Sequence, residues 1–181
     1  MSENADQQRI EDVVLEIERH AAGSGWDQPA SMYALVDTAE LLQREPQLAE
    51  LLGIEPGQSG LTPVEQEPVD QTVQDLLATI LWPPEVAGCA VVLEATTGAS
   101  TGTTPAPDDP EGPEGAVENS GEARIVAGAL RTGEGFCTIR QRAHDEDDLV
   151  LVGADLVPGL LQLLHATLEP ETDEPAEEQP R

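Results

Sequence analysis

ARIVAGALRTGEGFCTIRQR, residues 123–142, is the stretch whose reading decides the fold. Residues 124–131 and 136–142 are rich in Ile, Val, Leu, Phe and Thr, with Thr132-Gly133-Glu134-Gly135 between them. Two such runs joined by a short glycine-containing link predict a β-hairpin, and glycine supplies the positive φ of a tight turn. A turn centred on Gly133-Glu134 pairs Arg131 with Phe136, Ala129 with Thr138, Ala127 with Arg140 and Ile125 with Arg142. Side chains alternate across a strand. One face then carries Val126, Gly128, Leu130, Cys137 and Ile139 and is expected to be core. The other carries Ala127, Ala129, Arg131, Phe136, Thr138, Arg140 and Arg142. A slip of one residue exchanges the faces, so this assignment rests on the turn.

Upstream of the hairpin, AGCAVVLE (87–94) is almost continuously apolar and predicts a central strand. Residues 96–121 are Thr, Gly, Pro, Ser and acid, too polar to order themselves. They read as a flexible insertion between two strands. Downstream, His144 to Asp148 is an acidic turn and 149–152 a fourth strand. Asp155 is placed to cap a closing helix through Leu156, Leu160, Leu161, Leu164 and Leu168. Residues 169–181 read as a disordered acidic tail.

At the other end, Asn4 is placed to cap a helix over 5–22, with Ile10, Val13, Val14, Ile17 and Ala21 on one stripe. Met32 to Val36 reads as a short buried strand, Asp37 as the cap of a second helix, and Glu45-Pro46 as its restart. Thr62-Pro63-Val64-Glu65 has a capping-box pattern and reads as a single turn. Residues 69–81 predict another helix, stopped by Trp82-Pro83-Pro84. The expected fold is one α+β domain over 1–168: N-terminal helices packed on a three- to four-stranded antiparallel sheet, closed by a C-terminal helix.

The charge is one-sided, 36 acids against 8 bases for a net −28, and every base is Arg. Residues 96–121 and 169–181 hold only eleven of those acids, so the body itself is strongly acidic. Such a surface repels nucleic acid and anionic membrane. Both cysteines, Cys89 and Cys137, fall in predicted strand interiors, where free Cys behaves as a small hydrophobe. Two cysteines and an N-terminus without a basic and apolar leader pattern lead us to expect a reduced, cytoplasmic setting.

Motifs for chemistry are few. Gly98-Ala99-Ser100-Thr101-Gly102 matches G-x-S-x-G, but the following TTPAPDDPEGPEG cannot be the helix that a nucleophile elbow requires. His144-Asp145-Glu146-Asp147-Asp148 gathers metal-ligand types, yet Val150 and Leu156 stand where an EF-hand needs Gly and Glu. A His-carboxylate site recruiting a distant ligand such as His20 stays open beside a plain solvated turn. There is no P-loop, dinucleotide fingerprint, zinc spacing or HExxH, and no cofactor is expected. The basic hairpin face is the best candidate site: Arg131, Arg140 and Arg142 together suit a carboxylate or phosphate. Pairing with the chain's own acids is the competing reading.

Six stretches, VLEIERHAAGSGWDQP, ALVDTAELL, LTPVEQEP, WPPEVAGCAVVLE, ARIVAGALRTGEGFCTIRQRAHD and DLVPGLLQLLHATL, occur in this order. Over about residues 10–168, leaving out 96–121, they resemble a family of actinobacterial proteins known only by a locus-tag name. The resemblance implies a bacterial cytoplasmic protein. That family has no established activity, so no site residue is carried over from it.

The expected function is a non-enzymatic binding or adaptor domain whose partner is a protein or a small anionic ligand. The alternatives are a small hydrolase or metal-dependent enzyme using His144 and the acids beside it, and a homodimer joined through a sheet face.

Overall fold

A computed structural model describes residues 2–67, 72–97 and 121–169, the side chains of 2, 3 and 97 excepted. The insertion expected over 96–121 and the tail expected over 169–181 lie mostly outside these residues, as does the G-x-S-x-G match. At their edges the expectation is corrected, because Thr96, Thr97 and Gly121 are strand residues.

Eleven α-helices and strands follow the chain among the described residues: α1 (Ser2–Gly23), β1 (Ser31–Asp37), α2 (Thr38–Arg44), α3 (Pro46–Leu51), β2 (Leu61–Glu65), α4 (Val73–Thr79), β3 (Val86–Thr97), β4 (Gly121–Leu130), β5 (Gly135–Gln141), β6 (Leu151–Gly153) and α5 (Pro158–Leu168). Short 3-10 turns at Arg142–His144 and Asp147–Leu149 lie between β5 and β6, so the strand expected over 149–152 starts two residues later. The fold is mixed helix and sheet, and the sheet is larger than expected: six strands in the order β2-β1-β3-β4-β5-β6, every neighbouring pair antiparallel. The unforeseen strand is β2. Its Pro63 lacks an N–H, which a turn tolerates, but so does an edge strand, and Pro63 pairs with Leu35 at the sheet margin.

The helix boundaries also differ in part. Asp37 caps α2 as expected, its carboxylate accepting from the N–H groups of Ala39 and Glu40. Asn4 lies inside α1 and caps nothing. Of the helix expected over 69–81, residues 69–71 lie outside the described residues; α4 ends at Thr79, two residues early, and is capped by Thr72, whose hydroxyl accepts from the Asp75 N–H. Helix α5 begins at Pro158 rather than after Asp155, because proline's fixed φ suits a first helical position.

Helices cover the sheet on both sides. On one, Ile10, Val13, Val14 and Ile17 of α1 bury against Tyr33, Leu35, Ala90, Val92, Val126, Leu130 and Phe136. Gly128 lets α1 settle close: a Cβ there would lie 2.7 Å from Cγ2 of Val14 and 3.0 Å from Cδ1 of Ile10. On the other, α4 and α5 bury Leu77, Leu161, Leu164 and Leu168 against Met32, Cys89, Val91, Ala127, Ala129 and Cys137. Both cysteines are free and fully buried. Burial pushes the Cys89 thiol up to about 11 and raises that of Cys137 too, so neither is a nucleophile near neutral pH.

The hairpin is present, in a different register. Leu130 N–H donates to Glu134 at 2.9 Å and Gly133 N–H to the Leu130 carbonyl at 3.1 Å, with Gly133 at φ 110°. This is a three-residue loop, a tight turn closed by a positive-φ glycine, not a two-residue turn on Gly133-Glu134. Ala129 therefore pairs with Gly135, Ala127 with Cys137 and Arg124 with Arg140. The displacement from the expected pairs is an odd number of residues, so it reverses the faces of β5 relative to β4. Val126, Gly128 and Leu130 share a face with Phe136, Thr138 and Arg140, not with Cys137 and Ile139.

Candidate functional site

The register corrects the expected basic face. Arg131 and Arg140 lie on opposite sides of the sheet, so the three arginines form no common surface. Arg140 and Arg142 come together at the α1 side, at one end of β5, and Arg131 stands apart from them.

Arg140 is buried, 3% exposed, beneath the C-terminal half of α1. Its Nε donates to Oε1 of Glu18 at 2.6 Å and its Nη2 to Oε2 at 3.2 Å, and the Glu18 side chain is itself only 5% exposed. Nη1 reaches Asp145 at 3.1 Å and Nη2 also reaches Asp147 at 2.7 Å. A guanidinium has five N–H donors in a fixed fork, and here three carboxylates accept four hydrogen bonds from it. The Glu18 hydrogen bonds foremost hold its pKa above the ordinary arginine value. Glu18 falls on the helical stripe four residues after Val14.

Beside it, Arg124 was not foreseen as a site residue, and its side chain is 1% exposed. Nη2 donates to Glu94 at 3.0 Å and to the Gly25 carbonyl. Its Nη1 is buried without a partner. The guanidinium carbon lies 4.5 Å from the ring centroid of Trp26, and that of Arg142 lies 5.6 Å from the same ring. The indole N–H of Trp26 donates to Asp145 at 2.9 Å. That bond first, then Arg140, holds the Asp145 carboxyl below the usual range. Arg142 grips both oxygens of Asp27 at 2.8 Å and Glu122 at 2.7 Å. Its hydrogen bond depresses the Asp27 pKa and pins a residue at φ 64°, left-handed without being glycine. The strand pattern held a signal for Arg124: it stands two residues before Val126, hence on the core face, and directly opposite Glu94.

Arg131 does different work on the far side. It donates to four main-chain carbonyls: Val86 at 2.8 Å, Trp82 at 2.9 Å, Pro83 at 3.0 Å and Leu168. It thereby ties the C-terminal end of α5 to the Trp82-Pro83-Pro84 segment, where a cation also suits the helix dipole.

His144 is exposed, and two of the acids that follow it, Asp145 and Asp147, are held on Arg140. His20 is not brought to it: it lines a separate cavity beside α1. Among the described residues no group of three His, Cys, Asp or Glu could hold a metal ion. Nor is any helix among them long and apolar enough to cross a membrane.

The two sheet edges contrast. Strand β2 carries Pro63 and Glu65, features that discourage edge pairing. Strand β6 carries Leu151 and Val152, each 52% exposed, flanked by exposed Leu149 and Leu156. Among the described residues only its shortness guards it.

The chain matches no curated protein and no solved structure. Over residues 10–169 it matches the pattern of one family, and it belongs to that family, the PPA1309-like proteins.

Proposed function

We propose that this protein is a non-enzymatic binding domain that receives an extended segment of another protein along β6. The observation that carries the reading is the β6 margin, an open strand edge with exposed Leu149, Leu151, Val152 and Leu156. Adding a strand to such an edge draws affinity from main-chain hydrogen bonds and specificity from alternate side chains. The segment before β6 runs His144-Asp145-Glu146-Asp147-Asp148, all exposed. A partner strand that alternates apolar with basic residues complements it. Two copies of a chain of net charge −28 repel each other, which disfavours the homodimer.

The arginines support the same division of labour. Arg140 and Arg131 are taken up by the protein's own carboxylates and carbonyls, so they hold the fold and leave recognition to the edge. The test is calorimetric titration with a short peptide alternating valine with lysine or arginine. It should bind the full chain, bind more weakly as salt rises, and lose binding at least tenfold in the Leu151→Asp/Val152→Asp double variant. Equal binding by a peptide of the same composition with its valines grouped together would reduce the interaction to bulk charge and defeat the proposal. A dimer by light scattering that the double variant dissolves would assign the edge to a second copy instead.

A further inference from the structure

An open trough of about 990 Å³ lies between α2, α3 and the loop over residues 53–60. These elements carry the chain from β1 to β2, so the trough sits at the margin of the sheet opposite β6. Leu41 and Ala49 are buried and seat the helix pair. Leu42 is turned about 100° from Leu41 round the helix; it is partly buried and lines the trough with Ile54, Pro46 and Pro56. The far wall is fixed by a Schellman motif at the end of α3. Gly53 stands at φ 72°, its N–H donating to the Glu50 carbonyl at 3.1 Å and the Ile54 N–H to that of Ala49 at 2.9 Å. Glu55 N–H then donates to Oε1 of Gln58 at 2.8 Å. The exposed Glu50 and Glu55 stand on the rim, and neither is in an ion pair among the described residues. Arg44, the only base of α2, is turned to Glu85 at 4.0 Å.

We infer that this trough is a docking site for an amphipathic α-helix of a second protein partner, apolar on the face that enters it and bearing lysine or arginine where its flanks meet Glu50 and Glu55. An apolar patch rimmed by polar groups is the usual mark of an interaction site, and three observations select the occupant. The walls are helices and a hydrogen-bonded loop rather than a free strand edge, so a chain lying there must satisfy its own backbone groups, as a helix does. Two turns of helix, roughly 10 Å across and about 11 Å long, come close to filling the trough. Its lining carries two carboxylates and no base, which calls for a cationic flank, while a net charge of −28 turns away a second copy or an anionic lipid surface. The site stands independently of the β6 reading. Strands β2 and β6 lie five spacings apart, about 24 Å, so a helix in the trough and an extended segment on β6 do not collide, and the domain joins two partners.

The test is calorimetric titration and circular dichroism of the full chain with a leucine-lysine peptide of about four helical turns, its leucines at positions i, i+4 and i+7 on one face. The peptide should bind one to one, gain helix on binding and bind more weakly as salt rises. Glu50→Lys/Glu55→Lys, both at exposed positions, should weaken it at least tenfold without lowering the melting temperature. Asp12→Lys/Glu16→Lys, the same charge change on exposed residues of α1, should cost far less. Leu151→Asp/Val152→Asp should leave the peptide bound, which separates this site from β6. No binding, binding lost in the β6 variant, an equal loss in the Asp12/Glu16 variant, or equal binding by a peptide of the same composition with its leucines out of helical spacing would each overturn the proposal. So would a dimer by light scattering that Ile54→Asp dissolves, since it would give the trough to a second copy.

Discussion

Arg140 and Glu18 make the costliest residue-level choice in the molecule. Both charges are out of water, and their attraction is repaid only by the close bidentate geometry. Removing one partner strands the other. Arg140→Met should therefore cost about 3–5 kcal/mol in denaturant unfolding, and Glu18→Leu added to it should recover most of that loss. Arg142→Ala, at an exposed pair, should cost far less. Asp145 yields a pH-dependent expectation. Its folded pKa lies below the ordinary aspartate value, so its contribution is complete above the unfolded pKa and is lost as pH falls through the folded one. The melting-temperature gap between wild type and Asp145→Asn should be full at neutral pH and close only below about pH 4; a gap that widens on acidification contradicts this. At this scale the sequence exposed Arg140 and Arg142 as unusual strand residues, while Arg124 showed only as a charge on a core-facing position and Glu18 only as one on a helical stripe. Each of those sits on an apolar stripe, where a charge is tolerated only through a partner that the sequence does not display.

At the scale of elements, the legible parts were those with strong local periodicity. The apolar stripe of α1, the central strand β3, the Asp37 cap and the existence of the hairpin follow from residue spacing alone. What was not legible depends on tertiary pairing. Strand β2 has a capping-box sequence, and only its place beside β1 makes it a strand. The hairpin loop shows the sharper failure: glycines at 133 and 135 permit both a two-residue and a three-residue turn, and core packing selects between them. With the three-residue loop, Phe136 enters the core beneath α1 and Gly128 faces that helix. Gly128→Ala should lift α1 from the sheet, since its Cβ would lie 2.7 Å from Val14, and lower stability by about 1–3 kcal/mol. The two-residue register also puts Gly128 on a core face, so the discriminating change is Cys137→Ser. It should destabilise from within the α5 side of the sheet without altering thermolysin cleavage within α1, whereas Gly128→Ala should make α1 easier to cleave. The reverse pattern would contradict the register.

The whole molecule carries a net charge of −28 on 181 residues, and most of its arginines are held in internal contacts rather than set out as a basic surface. Self-repulsion between the remaining acids should be screened by salt, so the melting temperature should rise from about 0.05 to 0.5 M NaCl. A flat or falling response would mean that the arginine network, weakened by the same screening, outweighs the repulsion. Against this acidic background the two sheet edges differ, one guarded by Pro63 and Glu65 and the other open and apolar, and that asymmetry carries the functional claim. Amide hydrogen exchange on the full chain, with and without the valine-basic peptide, tests it most directly. Slowed exchange confined to Leu149–Gly153 is the predicted result; slowed exchange at β2 or along α1, with β6 unchanged, would contradict the account.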